Sequence, residues 1–289
     1  MKDKARGMPE QTVQVVTDST SDIPLELANS AGIDVVPLTI RFGHEVYADG
    51  VGLTGEAFYE KLRQSPVIPT TSAPSPGDFL EVYRRGIERG KQVVSIHISG
   101  QVSATYNSAV LAAQEFPGRV HVVDSRNVSM AVGWVALRAA AAARAGANIG
   151  TVKSLVEDML PRAHLYAVLG TLENLRRGGR LGRAATFLGT VMQVKPILTV
   201  SNGVVSPVEK VRLINRALER LVDIAQEHAP IEHMAVAQTD APGTFDQLRQ
   251  IVAEKMPGLQ LLGYRAGAII GALAGPGAVA LVFISGRRG

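Results

Sequence analysis

The residues best suited to chemistry in this chain stand in short turns rich in hydroxyls and carboxylates. Asp, Ser and Thr fill residues 18–22, and similar turns occupy residues 99–103 and 124–129. Such a turn can catalyse acid/base chemistry, bind an anion or cap a following helix. Asp18 and Asp22 stand four residues apart across a predicted helix start, a spacing that favours capping. We therefore predict no catalytic residue.

A further hydroxyl turn, "PTTSAPSPGDF", spans residues 69–79. Proline on both sides stiffens the turn, so that Thr71 can present a hydroxyl at low entropic cost. The alternative is an ordinary loop that ends in a helix N-cap at Ser75. The two interpretations are compatible.

Metal binding finds no support in the sequence. The chain has no Cys, and its six His form no His-x-x-x-His or His-Glu-x-x-His pair. His97 alternates with isoleucines in a predicted strand, which is typical of a structural histidine. We predict no metal and no cofactor.

The segment "RRGGRLGR", residues 176–183, invites comparison with a phosphate-binding loop. It lacks the Gly-Lys-Ser/Thr ending whose side chains meet the phosphates and the metal. Three interpretations remain open: a solvated turn, a turn that seals the interface between the domains, or a positive surface on which Arg176, Arg177 and Arg180 dock an acidic partner.

The elements that must position these turns follow an alternating order. Short β-branched runs such as "TVQVVT", "IDVVPLTI", "QVVSIHI" and "RVHVVD" are separated by helical patterns, including residues 76–89 and the Ala-rich residues 130–145. Alternation of this kind predicts an α/β fold in which each of these strands feeds a helix. The polar turns then lie at the carboxyl ends of parallel strands, where such sheets bind ligands.

Length and composition indicate two packed domains. A chain of 289 residues with 46% hydrophobic residues exceeds one ordinary core. The pattern changes near residue 162, beyond which Ser201-Asn202-Gly203 predicts a tight turn between antiparallel strands. We predict a mostly parallel N-terminal domain at 12–161 with flanking helices, and a mixed or antiparallel C-terminal domain at 162–286.

Two kinds of partner are disfavoured by composition. The net charge of +4 is scattered and only 5% of residues are aromatic, too few for nucleic-acid stacking platforms. The apolar run 266–284 is interrupted by Gly275-Pro276-Gly277, which predicts a buried segment, a turn and a core strand rather than an integral membrane segment. The charged first dozen residues lack an apolar signal region, so we expect a cytoplasmic protein.

Seven segments in a fixed order resemble the DegV family of bacterial fatty-acid-binding proteins. They are "VVTDSTSDIP", "TTSAPSPGDF", "HISGQVSATYNSA", "VVDSRNVSMAVG", "LENLRRGGRLGRAATFLGTVMQVKPIL", "NGVVSPVEKVR" and "GPGAVALVFI". The resemblance implies a two-domain α/β fold with a long-chain fatty acid bound between the domains. It also implies that the chain, itself not an enzyme, presents this ligand to a kinase subunit that forms an acyl-phosphate for phospholipid synthesis.

The same resemblance assigns the residues that hold the carboxyl group. Thr71 and Ser103 match the family's carboxyl-binding positions, with Ser99 and Gly100 as accessories. The chain departs from the family where Gly100 replaces a common Ser, Ala104 a common Gly and Leu273 a common His. These changes leave fewer polar groups near the carboxyl.

Two other functions remain open from the sequence. A phosphotransferase or hydrolase could act on a small phosphorylated substrate through residues 18–22. A regulatory protein could sense lipid and bind another protein through the Arg-rich turn.

Overall fold

The computed structural model describes residues 11–187 and 194–287. Two features used above reach outside the described residues: the charged first dozen residues, and residues 188–193 within the motif that begins at Leu172.

The first half of the chain is built around a parallel sheet. Its strands and those of a small neighbouring sheet are β1 (Val13–Asp18), β2 (Ile33–Val36), β3 (Thr39–Phe42), β4 (Glu45–Ala48), β5 (Thr70–Ser72), β6 (Gln92–His97) and β7 (Val120–Asp124). The parallel sheet has the order β2-β1-β6-β7, which confirms the predicted parallel pairing. Its helices are α1 (Leu25–Ala31), α2 (Gly55–Gln64), α3 (Pro76–Glu88), α4 (Thr105–Ala113), α5 (Met130–Arg144) and α6 (Ile149–Met159).

The segment "IDVVPLTI" differs from the prediction of one strand that feeds a helix. The chain breaks at Pro37 and Leu38, so β2 stays in the parallel sheet while β3 enters an antiparallel sheet of order β4-β3-β5. Proline has no N–H to donate to a ladder, which favours the break at this point. The small sheet places Thr71 opposite Ile40.

The second half is a mixed sheet covered by helices. Its strands are β8 (Ala163–Val168), β9 (Lys195–Ser201), β10 (Val204–Val211), β11 (Ile231–Thr239), β12 (Leu261–Arg265) and β13 (Ala278–Ser285), in the order β10-β9-β8-β13-β11-β12. Its helices are α7 (Glu173–Arg177), α8 (Ile214–Glu227), α9 (Pro242–Lys255) and α10 (Ala268–Ala274). Asn202 and Gly203 join β9 to β10 with φ of 51° and 82°, which confirms the predicted tight turn.

Helix α5 holds the two sheets together. The prediction of a helix at residues 130–145 is confirmed, and Arg138 and Arg144 lie exposed. Its alanines pack on Val15 and Ile96 of the parallel sheet and on Val282 of the mixed sheet within one apolar cluster. Alanine suits this place because a thin helix lets two sheets approach from opposite sides.

The apolar run near the carboxyl terminus divides as predicted. Helix α10 ends at Gly275, whose φ is 74°, and the chain turns at once into β13. Among the described residues, no helix is long and apolar enough to cross a membrane. The proposed domain boundary falls at the short 3-10 turn Leu160–Arg162 before β8 and stays a prediction.

Candidate functional site

An apolar cavity of about 180 Å³ lies between the loops at the carboxyl ends of the parallel strands and one face of the mixed sheet. One water-sized sphere needs about 10–15 Å³, so this cavity is many waters in extent. Both halves of the chain line it, chiefly with aliphatic side chains such as Leu38, Ile98, Leu165, Leu198, Ile269 and Leu273. A cavity of this lining favours an apolar ligand over water.

The two predicted carboxyl-binding hydroxyls both line this cavity. Thr71 is half-buried in β5, where pairing with β3 fixes its backbone. Ser103 is half-buried in the turn before α4; its Oγ lies 2.8 Å from Thr105 Oγ1 and accepts a hydrogen bond from Thr105 N. A strand and a helix entry therefore bring two hydroxyls, 32 residues apart in sequence, to the wall of one cavity.

Arg180 also lines the cavity and contacts the other half of the chain, which fits the interpretation of a turn that seals the domain interface. Its Nε donates to the carbonyl of Val102, next to Ser103, at 3.0 Å, and its Nη1 donates to the carbonyl of Gly178. Gly179 has a φ of 72°, and this left-handed turn redirects the chain after α7.

Ser99 and Gly100 lie outside the cavity lining. The Ser99 hydroxyl is buried and donates to the carbonyl of Gly203 at 2.8 Å, which ties this loop to the β9–β10 hairpin. The Gly100 N–H donates to Asp124 Oδ1, and a side chain at Gly100 would meet the ring of Tyr106 at 3.1 Å. Their accessory role towards a ligand stays a prediction.

Two of the positions that depart from the family pattern line the cavity with apolar groups. Ala104 and Leu273 both belong to its wall. Leu273 packs closely against Gly178, where an added Cβ would approach its Cδ2 to 2.7 Å. The site therefore has an aliphatic contact at Leu273, where the family resemblance leads us to expect a histidine.

Arg176 and Arg177 lie exposed on α7, apart from the cavity lining. Arg176 Nη2 lies 2.7 Å from Glu173 Oε1, and Arg177 pairs with the same carboxylate. Hydrogen bonds from these two guanidinium groups lower the pKa of Glu173 to about 2. Glu173 thus neutralises part of the positive charge that the sequence alone displays.

The carboxylate of Asp18 accepts several hydrogen bonds from neighbouring residues of the fold. It accepts from Thr20 N at 3.0 Å and from the Thr20 hydroxyl and Ile98 N. The first of these bonds caps the short 3-10 turn Ser19–Ser21, whereas α1, the helix for which capping was predicted, has no side-chain cap. His97 Nδ1 lies 2.8 Å from Asp18 Oδ2, and the chain of contacts continues through Ser95 to Tyr83. This Ser-His-Asp arrangement resembles a catalytic triad, but Asp18, Ser95 and His97 are completely buried and present no nucleophile to a substrate.

Asp22 and Asp49 anchor the amino end of α10. Asp22 accepts from Gly267 N at 2.9 Å and from the Ser129 hydroxyl, and Asp49 accepts from Ala268 N at 3.1 Å. Burial raises the pKa of Asp22 to about 7 and that of Asp49 to about 6, although these hydrogen bonds act in the opposite direction. Ser129 also lines the cavity, so Asp22 is linked to the cavity wall through this hydroxyl.

Within the described residues, no group of three or more His, Asp or Glu side chains gathers where a metal ion could bind.

Comparison with known proteins relates this fold to others. A family model described as "Uncharacterised protein, DegV family" matches residues 12–286. A DegV domain-containing protein from Streptomyces coelicolor is 37% identical over 278 residues, covering 94% of this chain and 98% of that protein. The structure described as fatty acid binding of a DegV family protein from Thermus thermophilus has a TM-score of 0.89 at 36% identity, covering 95% of this chain and 99% of that one. DegV from Bacillus subtilis, described as a fatty acid binding protein, has a TM-score of 0.84 at 30% identity, covering 96% and 100%.

The fold and the site define an α/β protein in which loops of the first half, helix α10 and one face of the mixed sheet enclose an apolar cavity with a few polar groups at its wall. The chain belongs to the DegV family. The predicted family and fold class are thereby confirmed.

Proposed function

We propose that this protein binds a long-chain fatty acid in the cavity between its two halves, with the carboxyl group at Thr71 and Ser103. The observation that carries the proposal is the combination of an aliphatic cavity with these two hydroxyls at its wall. The fatty-acid-binding relatives from Thermus thermophilus and Bacillus subtilis support the same ligand class.

The polar groups suit a carboxylate that must remain reactive. Neutral hydroxyl donors orient the carboxylate and leave some of the lone pairs on its oxygens without a hydrogen bond. Arg180 adds a positive charge beside Ser103 while two backbone carbonyls occupy part of its guanidinium. The ligand is then held by hydrogen bonds and attraction, and an oxygen remains available to attack a phosphoryl group.

We further propose that the chain presents this ligand to a cytoplasmic kinase and contributes no catalytic group itself. Arg176 and Arg177 lie exposed near Arg180, where an acidic partner surface could approach the carboxyl end of the ligand. The acyl-phosphate would then feed phospholipid synthesis. The buried hydrogen bonds of Asp18 argue against the alternative of a phosphotransferase or hydrolase at residues 18–22.

Lipid binding is tested with Thr71→Val, which keeps the shape and removes one hydroxyl. Loss of a hydrogen bond to a charged group costs about 1.5–3 kcal/mol, or roughly tenfold or more in affinity. Fatty-acid titration of stripped protein should show this loss, while the ligand-free melting temperature changes little. Thr70→Val is the matched control, because Thr70 is exposed and adjacent in the same strand.

Native mass spectrometry of the purified wild-type protein gives the independent result. We expect an adduct with the mass of a fatty acid of about 14 to 18 carbons, the range that the family resemblance implies. A gently purified protein that carries no acyl mass and binds no added fatty acid would contradict the proposal.

Docking to a kinase is tested with the double substitution Arg176→Glu and Arg177→Glu. Exposed ion pairs contribute about 0–1 kcal/mol to folding, so stability and lipid content should change little. Phosphorylation of the bound fatty acid by a partner kinase should fall, most strongly at low salt. Arg216→Glu is the matched control, since Arg216 forms the same kind of exposed helix pair with Glu219. Equal phosphorylation in both variants would exclude this surface.

A further inference from the structure

A row of small side chains crosses the mixed sheet beneath the cavity. Ala280 of β13 pairs with Ala167 of β8 on one side and with Ala237 of β11 on the other. Ala167 pairs in turn with Leu198 of β9. Paired residues in antiparallel strands face the same side of a sheet, and all four side chains line the cavity.

Partial exposure of this row arises from the cavity. Strands β8 and β13 both have neighbours on either side in the sheet, so their inward residues would ordinarily be fully buried. Ala167 and Ala280 are nevertheless only half-buried. Their methyl groups face empty space. This space remains above the sheet because the three alanine side chains have no γ-carbon to fill it.

The cavity floor ends soon after the alanine row in one of the two strand directions. One row further along, Leu165, Val282 and Ala235 pair side by side and pack in the core cluster that contains α5. Of these only Leu165 still lines the cavity, so this row closes the floor in that strand direction, whereas Ala278 and Thr239 continue the lining in the opposite one. Across the strands, the step from Leu198 to Ala237 covers three spacings of about 4.8 Å each, roughly 14 Å in total.

The carboxyl end can be assigned to the β9 side of this row. Arg180 and Ser103 are joined through the carbonyl of Val102, and the same loop is tied to Gly203 at the end of the β9–β10 hairpin. A chain that starts there meets Ala167 first, Ala280 second and Ala237 last.

We infer that the acyl chain lies across β9, β8, β13 and β11, and that Ala167, Ala280 and Ala237 set the length of chain that the protein accepts. This inference rests on the proposed fatty-acid binding. It adds the direction in which the acyl chain lies and the limit on its length. A branched side chain in the row would block the cavity floor at its own position. The three alanines therefore limit the chain length at successive points along the ligand.

The test is a series of single substitutions to valine, with titration of saturated fatty acids of increasing length. Ala237→Val should reject only the longest chains that the wild type binds, Ala280→Val should shift the limit to shorter chains, and Ala167→Val to the shortest. Each methylene excluded from the cavity should lower affinity about fourfold. Cysteine at the same positions adds one sulfur atom and replaces any valine variant that does not fold.

Ala235→Val is the matched control. Ala235 lies on the same strand and face as Ala237 but belongs to the core beneath α5 rather than to the cavity lining. This substitution should lower the melting temperature of stripped protein and leave the accepted chain lengths unchanged. The three cavity variants should show the opposite pattern.

The outcomes separate this inference from the proposed function. A wild-type protein that binds no fatty acid contradicts the proposed function itself. A wild-type protein that binds fatty acids, with one common length limit in the three variants or with the reverse order, overturns the row and its direction alone.

Discussion

At the residue scale, burial changes the pKa of the two carboxyl groups at the amino end of α10. Asp22 and Asp49 are buried together and both carry raised pKa values, about 7 and about 6. A raised pKa means that the folded chain binds the proton more tightly than the unfolded chain does. Stability gained from the protonated forms is therefore present at low pH and lost as pH rises.

We predict that Asp22→Asn flattens the pH dependence of stability. In the wild type, the free energy of unfolding should fall as pH rises from about 4 towards 7, by on the order of 4 kcal/mol for Asp22. The variant should keep only the slope below pH 6 that Asp49 supplies. Urea unfolding followed by circular dichroism measures this slope, with Glu115→Gln as an exposed-carboxyl control. A wild-type stability that rises between pH 4 and 7 would refute the assignment.

Sequence reasoning named two hydroxyls that line the cavity, but it did not name Arg180 as a lining residue. The resemblance of short motifs identified Thr71 and Ser103, and both line the cavity. The Arg-rich run alone left Arg180 open between a solvated turn, a turn that seals the domain interface and a docking surface. The inward approach of Arg180 depends on the left-handed Gly179 and on the Val102 carbonyl, a contact across 78 residues that no local pattern encodes.

At the element scale, the β9–β10 hairpin joins the two halves beside the candidate site. Its turn residue Gly203 accepts the Ser99 hydroxyl and has a φ of 82°. An added Cβ there would lie 2.5 Å from Ser99 Oγ. The turn therefore needs glycine both for its backbone angle and for the close approach of the opposite loop.

Gly203→Ala should destabilise the protein more than Gly258→Ala does. Gly258 has nearly the same φ, 84°, and nothing lies within 4 Å of its added Cβ, so its substitution reports backbone strain of about 1–2 kcal/mol alone. Gly203→Ala should add a further 1 kcal/mol or so through the disturbed Ser99 hydrogen bond. Thermal unfolding of both variants gives the difference in stability. Equal losses of stability would show that the loop carrying Ser99 can shift without a free-energy cost.

Periodicity predicted the long elements well and the small sheet poorly. Helices α3 and α5 lie where hydrophobic spacing placed them, because an amphipathic or Ala-rich run of this length carries its own signal. The antiparallel sheet β4-β3-β5 went unrecognised. Its strands span three or four residues, and β5 is held by pairing with β3 rather than by its own pattern.

At the scale of the whole molecule, the sequence indicated two halves. The structure shows that the two halves share one helix, α5, in their cores. Composition and the change of pattern near residue 162 suggested separate cores. One face of the parallel sheet and one face of the mixed sheet instead pack on α5, which belongs to the first half. No sequence pattern shows that one helix serves two sheets, since its alanines satisfy either neighbour equally.

The shared helix has a consequence for how the chain becomes native. Neither sheet can finish burying its inner face until α5 has been laid between them, so the last large step of folding must join both halves at once. A ribosome-bound chain that has emerged only as far as α6 would expose the outer side of α5, an apolar surface awaiting strands not yet synthesised. The cavity forms in that same closing step, and an acyl chain present at that moment would be enclosed by folding itself rather than admitted afterwards.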